Sequence, residues 1–456
     1  MIRLYDTLTR SKVPLETVRP GEVRMYSCGP TVYWFAHIGN LRAFVFSDLL
    51  HRLFSRDHKV KAVMNITDVG HLTSDGDTGE DKMLVAMKRE GKTAWDIARF
   101  YEEAFLRDLK RMNVLPFDAY PRATDHIKEQ IEMVQKLEQN GFTYRTSDGI
   151  YFDTAKLPDY GRLSGQKAEE KKAGARVDMG EKKSPTDFAL WKFSPAEGKR
   201  DMEWESPWGV GFPGWHIECS AMSKKYLGVP FDVHTGGVDH IAVHHENEIA
   251  QTEGAEGELE ANVWMHSEFL TVNGGKMSKS LGNLYTLDQL EEKGFDPLAY
   301  RFMLLGVHYR SKLNFSFEGL EAAQNALHKL RAFVRAAGKP GEVEPQNLRS
   351  FEAALDDDVN TPQALAILWK MLDDKDMPPA DKLATVLEFD KIFGLNLVAE
   401  VGKKDEIPAD VAALAEQRAA ARAAKDWKRS DELRDQIAAR GFIAEDGPNG
   451  QTIRAA

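Results

Sequence analysis

Cysteine is almost missing: the 456 residues contain two, Cys28 and Cys219. Two thiols cannot build a disulfide framework, so the fold must rest on a buried core. In a reducing compartment such thiols serve as metal ligands, as nucleophiles, or simply as small buried hydrophobes. Long apolar runs are missing too. The longest stretch free of Asp, Glu, Lys and Arg is 25–41, and it holds Pro30, His37, Gly39 and Asn40, which makes it too short and too polar to span a bilayer. The opening residues, Met1-Ile-Arg-Leu-Tyr-Asp-Thr-Leu-Thr-Arg10, have no apolar centre and carry an acid, so no secretory signal is read and a cytoplasmic location is expected. Positive charge is in deficit: a net charge of −11 excludes a surface that coats nucleic acid, and any RNA must be met locally. What is there, 42% hydrophobic and 29% charged residues, is an ordinary globular composition, with chain enough for about three domains.

The first third reads as α/β. Residues 22–29 form a short strand pattern ending in Cys28-Gly-Pro30, 41–54 place Leu41, Phe44, Val45, Leu49, Leu50, Leu53 and Phe54 at helical spacing, and 60–66 read as a second strand. In a doubly wound sheet, a loop entering a helix at the carboxyl end of a strand is the usual ligand position, and its free amides and dipole favour an anion. His37-Ile-Gly-Asn40 falls there. From about 115 to 205, turns, short strands and charged runs such as Glu169-Glu-Lys-Lys172 indicate an insertion. The sheet resumes at 231–235, with a helix from His244. Beyond Lys312 the pattern is helical over 320–337, 348–355, 362–373 and 379–393, with Thr361 as an N-cap before Pro362 and linkers at 339–341 and 403–408. The tail 401–456 is electrically neutral. Its Arg418, Arg422, Lys425 and Arg429 share one face if the helix is continuous, either a solvated face or an RNA contact.

Lys276-Met-Ser-Lys-Ser280 follows Asn273-Gly-Gly275 and sets two ammonium groups on a loop able to close over a polyphosphate, work suited to lysine as a mobile point charge. A specified pentapeptide arises by chance in a chain of this length about once in 10⁴ sequences. Other motifs fail on context. The Walker pattern is absent. Gly209-Val-Gly211-Phe-Pro-Gly214 matches a dinucleotide fingerprint literally, but its lead-in holds Glu205 and Ser206-Pro207 instead of an apolar strand, and Pro213 sits inside the turn. His245-Glu-Asn-Glu-Ile249 starts like a zincin helix, with Ile249 where a histidine must stand. The acids Asp75, Asp77, Glu80 and Asp81 lack EF-hand spacing and read as a solvated loop. A metal site stays open: His244 and Glu248 share a helix face, and with the two distant thiols they complete a set suited to Zn²⁺, while His240, His245 and Glu246 compete for the same role.

Taken in order, His37-Ile-Gly-Asn40 and Lys276-Met-Ser-Lys-Ser280 resemble the paired HIGH and KMSKS signatures of class I aminoacyl-tRNA synthetases. Cys28-Gly-Pro-Thr-Val-Tyr33, Asn65-Ile-Thr-Asp68, Gly174-Ala-Arg-Val177, Pro213-Gly-Trp-His-Ile-Glu-Cys-Ser-Ala-Met222, His244-His-Glu-Asn-Glu248, Asp356-Asp-Asp-Val-Asn-Thr-Pro362 and Glu445-Asp-Gly-Pro-Asn-Gly450 extend the resemblance over nearly the whole chain, to the cysteinyl-tRNA synthetase family. The resemblance implies a Rossmann-like doubly wound α/β catalytic domain (1–115 and 206–262) with an insertion (116–205). A KMSKS-bearing region contacting the tRNA stem (263–317), an α-helical bundle (318–402) and a small C-terminal anticodon-binding module (409–456) would follow.

It also implies ATP-dependent attachment of L-cysteine to tRNA(Cys) through cysteinyl-adenylate, with Mg²⁺ accompanying ATP. One Zn²⁺ per chain would be held by Cys28, Cys219, His244 and Glu248 and would bind the substrate thiolate. That device separates cysteine from serine where a hydrophobic pocket gives only a small ratio. The implied roles are catalysis for His37, Asn40, Lys276 and Lys279; nucleotide binding for Gly29, Gly39, His37 and Lys279; a cysteine pocket for Thr67, Trp215 and His234; and anticodon contact for Arg422, Trp427 and Asp446. Asn40 stands where the signature has its second histidine, keeping a hydrogen-bond donor but no charge. The insertion is short for an editing domain. The alternative is the related ligase of mycothiol synthesis, which joins cysteine to an aminosugar-inositol and shares the zinc site and both signatures. It lacks the module that 409–456 resemble. A monomer is expected.

Overall fold

The computed structural model describes residues 1–70, 82–165, 180–194, 200–277, 282–403, 408–440, 442–447 and 450–455. Gly174-Ala-Arg-Val177, the acidic loop from Asp75 to Asp81 and Lys279 lie outside them. At the centre is a four-stranded parallel sheet in the order Ala261–Ser267, Phe231–Gly237, Glu22–Ser27, Lys59–Met64. The two inner strands are buried almost end to end, as parallel strands covered on both faces must be. The helix Ile38–Phe54 carries the chain outward from Glu22–Ser27 to Lys59–Met64, and the helix His244–Glu256 carries it the opposite way, from Phe231–Gly237 to Ala261–Ser267. The connections diverge between the two inner strands, so their carboxyl ends frame the crevice where doubly wound sheets bind ligands.

The insertion is a separate layer. Its antiparallel sheet, Thr143–Arg145, Gly149–Phe152, Phe188–Phe193, Gly211–Pro213, packs an apolar core around Phe152, Leu190 and Trp191 that it shares with Ile217, Ala221 and Ala250 of the neighbouring helices. This sheet runs past the expected boundary at 205, because residues 211–213 pair with 191–193. The pairing also explains the glycine fingerprint: a Cβ on Gly211 or on Gly214 would stand 2.0 Å from the carbonyl oxygen of Lys192 or Ala189, so these glycines permit close backbone approach in a sheet. The main core runs from one face of the parallel sheet into the helical bundle. A smaller cluster on the other face includes Cys28, Cys219, Phe231 and Trp264.

The bundle helices are Phe317–Ala336, Pro345–Asp356, Thr361–Asp373 and Pro379–Phe393. Thr361 is the first helical residue, and the cap is Asn360, whose side chain accepts from the amide of Gln363. The tail is not one continuous helix: Ala409–Ala423 and Trp427–Ala438 are broken at Lys425, where φ is +60°, so the four cations do not share a single helix face. A hairpin, Phe442–Gly447 with Gly450–Ala455, closes the module over its own small core.

A buried polar knot joins bundle and sheet. Arg301, fully buried, donates to the carbonyls of Phe393 and Met112 and pairs with Asp48. Arg52 pairs with the same carboxylate and reaches the carbonyls of Asn113 and Lys391. Burial disfavours charge on Asp48, but Arg301 and Arg52 outweigh it and hold its carboxyl below the usual range. Asp48→Asn leaves two buried guanidinium groups uncompensated and is expected to cost about 3–5 kcal/mol, read as a lowered denaturant midpoint. Asp57→Asn, which breaks an exposed pair, serves as the control; equal midpoints for the two variants would refute the knot.

Candidate active site at the switch point of the sheet

A cavity of about 620 Å³ opens at the carboxyl ends of the inner strands, lined among others by Cys28, Gly29, His37, Gly39, Asn40, Thr67, Trp215, Cys219 and His244. Cys28 is the first residue beyond the strand Glu22–Ser27, and its amide donates to the Thr235 carbonyl. At Gly29 a Cβ would stand 1.7 Å from the Asn65 carbonyl oxygen, and the Gly29 amide donates to Asn65 Oδ1 at 2.8 Å. Only glycine lets the loop pass this close to the Asn65 backbone. Thr67 donates to the buried Glu218 at 3.0 Å.

Behind this wall lies a cluster built by three segments. Cys219 sits in the helix Trp215–Leu227, while His244 and Glu248 occupy successive turns of His244–Glu256. The donor atoms of Cys28, Cys219, His244 and Glu248 all lie within 4.8 Å of one another, and all four residues are buried. The sulfurs are 4.0 Å apart, far beyond a disulfide but close to the separation of about 3.8 Å that two thiolates take around a tetrahedral zinc ion. Cys28 Sγ to Glu248 Oε1 is 3.7 Å, and His244 Nε2 to Glu248 Oε1 is 3.0 Å. Burial, aided by Cys219, pushes the Cys28 thiol well up. Burial works against ionisation of Cys219 as well, but its hydrogen bond with Cys28 and the His244 charge hold that thiol below its ordinary range. Glu248 is likewise pulled down against burial by His244 and His234, and His244 is raised against burial by Glu248 and Cys219. Two sulfurs, an imidazole and a carboxylate are a donor set suited to Zn²⁺, which binds such groups in their deprotonated forms.

A second set, Cys28, His234, His245 and Glu248, is equally compact. Two soft sulfurs favour the first for Zn²⁺, and the second supplies its outer support. His234 Nε2 lies 2.9 Å from Glu248 Oε2, and its ring stacks on Trp264. His245 stands 3.2 Å from Cys28 Sγ and 2.7 Å from His266, which in turn meets Thr7 Oγ1 at 2.7 Å. His216 meets His244 at 3.0 Å. His234 therefore sits beneath Glu248 and away from the cavity wall, whereas Trp215 is on that wall, its ring 4.4 Å from that of His244. The supports His216 and His266 were not found by sequence reasoning, because no spacing signal marks a hydrogen-bond partner supplied by another element.

The signature loop makes an unusual cap. His37 Nδ1 accepts from the Asn40 amide, and Asn40 Oδ1 accepts from the His37 amide. Burial lowers the His37 pKa, with Asp239 opposing. With Nδ1 accepting, the ring proton falls on Nε2, a donor set beside the Gly39 amide of the helix N-terminus, while the Ile38 amide donates to the Tyr285 carbonyl. Lys276 ends the short strand Gly275–Lys276, paired with 271–272, and Met277 and Lys312 border the cavity. In the C-terminal module, Asp446 accepts from Arg418 at 2.9 and 2.8 Å and pairs with Arg422 at 3.0 Å; Arg422 lies 5.5 Å from the Trp427 ring, which is 56% exposed.

Comparisons with known proteins agree with this architecture. The model for tRNA synthetases class I (C) catalytic domain matches residues 14–325, a DALR domain matches 350–374, and the Cysteinyl-tRNA ligase anticodon binding domain matches 404–454. A methionyl-tRNA synthetase of Mycobacterium tuberculosis in complex with methionyl-adenylate superimposes with TM-score 0.55 at 15% identity, over 83% of this chain and 91% of that one. Fold and catalytic domain define an aminoacyl-tRNA synthetase of class I. Cysteine--tRNA ligase 1 of Burkholderia lata is 52% identical over 99% of this chain and 96% of its own length, and a Cysteine--tRNA ligase of Thermus thermophilus is 42% identical over 99% and 98%. The chain belongs to the cysteine–tRNA ligase family. Cys219→Ser is expected to lower bound zinc per chain by at least about tenfold after dialysis, measured by mass spectrometry of the metal; undiminished content would refute the first donor set.

Proposed function

We propose that this enzyme attaches L-cysteine to tRNA(Cys) at the expense of ATP, through cysteinyl-adenylate, and that Cys28, Cys219, His244 and Glu248 hold one Zn²⁺ for amino-acid selection. The observation that carries the reading is the buried cluster of two sulfurs, an imidazole and a carboxylate opening on the same cavity as the His37 helix N-terminus. When bound there, zinc offers a soft-ligand position that a thiol fills and a hydroxyl does not, a discrimination that shape alone cannot supply.

The chain's own groups do the rest. The Gly39 amide at the start of Ile38–Phe54 and the His37 Nε2 proton receive the phosphates of ATP, which arrives with Mg²⁺. Lys276 and Lys279 neutralise the β- and γ-phosphates as the cysteine carboxylate attacks the α-phosphorus and pyrophosphate leaves. The Asn40 backbone amide holds the tautomer of His37, and the Asn40 side chain, accepting from the His37 amide, closes the cap without charge. Gly29 and Gly39 keep the wall thin for the nucleotide, Thr67 and Trp215 bound the cysteine pocket, and His234 orients Glu248. The terminal ribose of the tRNA then attacks the acyl carbon. Trp427, with Arg422 and Asp446 beside it, offers a stacking face and polar edges to unpaired anticodon bases. This reading places the enzyme in the cytoplasm, acting as a monomer.

The match of 404–454 to an anticodon-binding domain favours tRNA over an aminosugar-inositol acceptor. The test is transfer of labelled cysteine by the purified protein, with ATP and Mg²⁺, to total tRNA and to the aminosugar-inositol, beside a serine control. The expected result is labelled tRNA with cysteine alone. Transfer to the sugar with tRNA untouched, or equal charging with serine, would overturn the reading.

A further inference from the structure

The residues leading into His37 present a second face. Next to the cavity-lining Pro30 and Thr31, the chain carries Trp34 and Phe35, and these meet Phe100 and Tyr101 of the helix Ala94–Arg111. Ring centroids are 4.9 Å apart for Phe35 and Tyr101, 5.7 Å for Trp34 and Tyr101, and 6.0 Å for Phe35 and Phe100. Trp34 is 38% and Phe100 44% exposed, unusual for rings this size. Cations cover them: Arg89 Cζ lies 3.9 Å over the Trp34 ring and Lys92 Nζ 4.7 Å over Phe100. Glu90 pairs with both, at 2.6 and 3.7 Å, so two cations and one carboxylate leave a positive charge beside the rings. Arg89 also donates to the Tyr33 carbonyl, tying the patch to the loop that ends in His37.

Rings capped by guanidinium and ammonium groups suit a planar partner that carries negative charge, and bases on a phosphate backbone fit both demands without regard to sequence. Position narrows the partner. Trp34 stands in the chain midway between Thr31 and His37, which both line the cavity that, on the function proposed above, the terminal ribose of the tRNA must enter. The unpaired nucleotides leading to that ribose therefore approach the segment that carries these rings.

We propose that Trp34 and Phe100, flanked by Arg89 and Lys92, form the platform on which the single-stranded 3′ nucleotides of the tRNA stack as its terminus enters the cavity. This rests on the proposed function.

The experiment measures binding of two deacylated tRNA(Cys) transcripts, one complete and one lacking its last three nucleotides, to the unaltered protein, Trp34→Ala, Phe100→Ala and the aromatic exchange Trp34→Phe. Cysteine-dependent ATP–pyrophosphate exchange is followed in each. Each alanine variant is expected to bind complete tRNA about tenfold more weakly, while the truncated tRNA and the exchange rate stay unchanged and Trp34→Phe retains most of the affinity. Equal weakening for both RNAs, or unchanged affinity for the complete one, would overturn the platform. If the unaltered protein charges no tRNA, the functional reading falls first, and that is seen before any variant is compared.

Discussion

The rest of the site is arranged around one costly act, the burial of two thiols, an imidazole and a carboxylate at a single point among apolar side chains. Such a group is tolerated only when its members compensate one another or share a cation. The fold brings them together by topology. The divergence of the parallel sheet leaves Cys28 at the end of one inner strand. The chain returns from the insertion in the helix that carries Cys219, and the crossover helix after the other inner strand starts at His244. Histidines from further elements then fix the orientation of the donors: His234 on Glu248, His216 on His244 and His245 beside Cys28.

The helix Ile38–Phe54 serves two tasks at its two ends. Its N-terminus, capped by the reciprocal His37–Asn40 pair, faces the cavity. Its later turns carry Asp48 and Arg52 into the knot with Arg301 and the carbonyls of the bundle. The cavity-facing end is thus borne on a helix clamped to the part of the chain that precedes the C-terminal module. That module in turn has a core of its own and presents Trp427 outward.

Much of this was legible in sequence, for identifiable reasons. The strand–loop–helix at the signature, the bundle helix Pro379–Phe393 and the choice of the four residues that cluster as Cys28, Cys219, His244 and Glu248 rest on periodicity, proline placement and motif resemblance, all of which are local. What escaped is non-local or atypical. The periodicity predicts the signature helix from 41, whereas it begins at Ile38, because histidine is not among the usual N-cap residues. The tail helix breaks at Lys425, a turn that neither glycine nor proline announces. The antiparallel pairing of Gly211–Pro213 makes a literal glycine fingerprint into a strand edge. Arg418, noted only as one of a row of cations, is 1% exposed and binds Asp446 through two nitrogens, a pairing across 28 residues that composition does not show.

The central claim is that the four buried donors hold a zinc ion and leave it a position for the substrate sulfur. X-ray absorption at the zinc edge, recorded with and without cysteine, tests this directly. The expected spectrum without cysteine has two sulfur and two nitrogen or oxygen scatterers, from Cys28, Cys219, His244 and Glu248, with a third sulfur added by cysteine and none by serine. A shell that keeps two sulfurs at saturating cysteine would contradict the account.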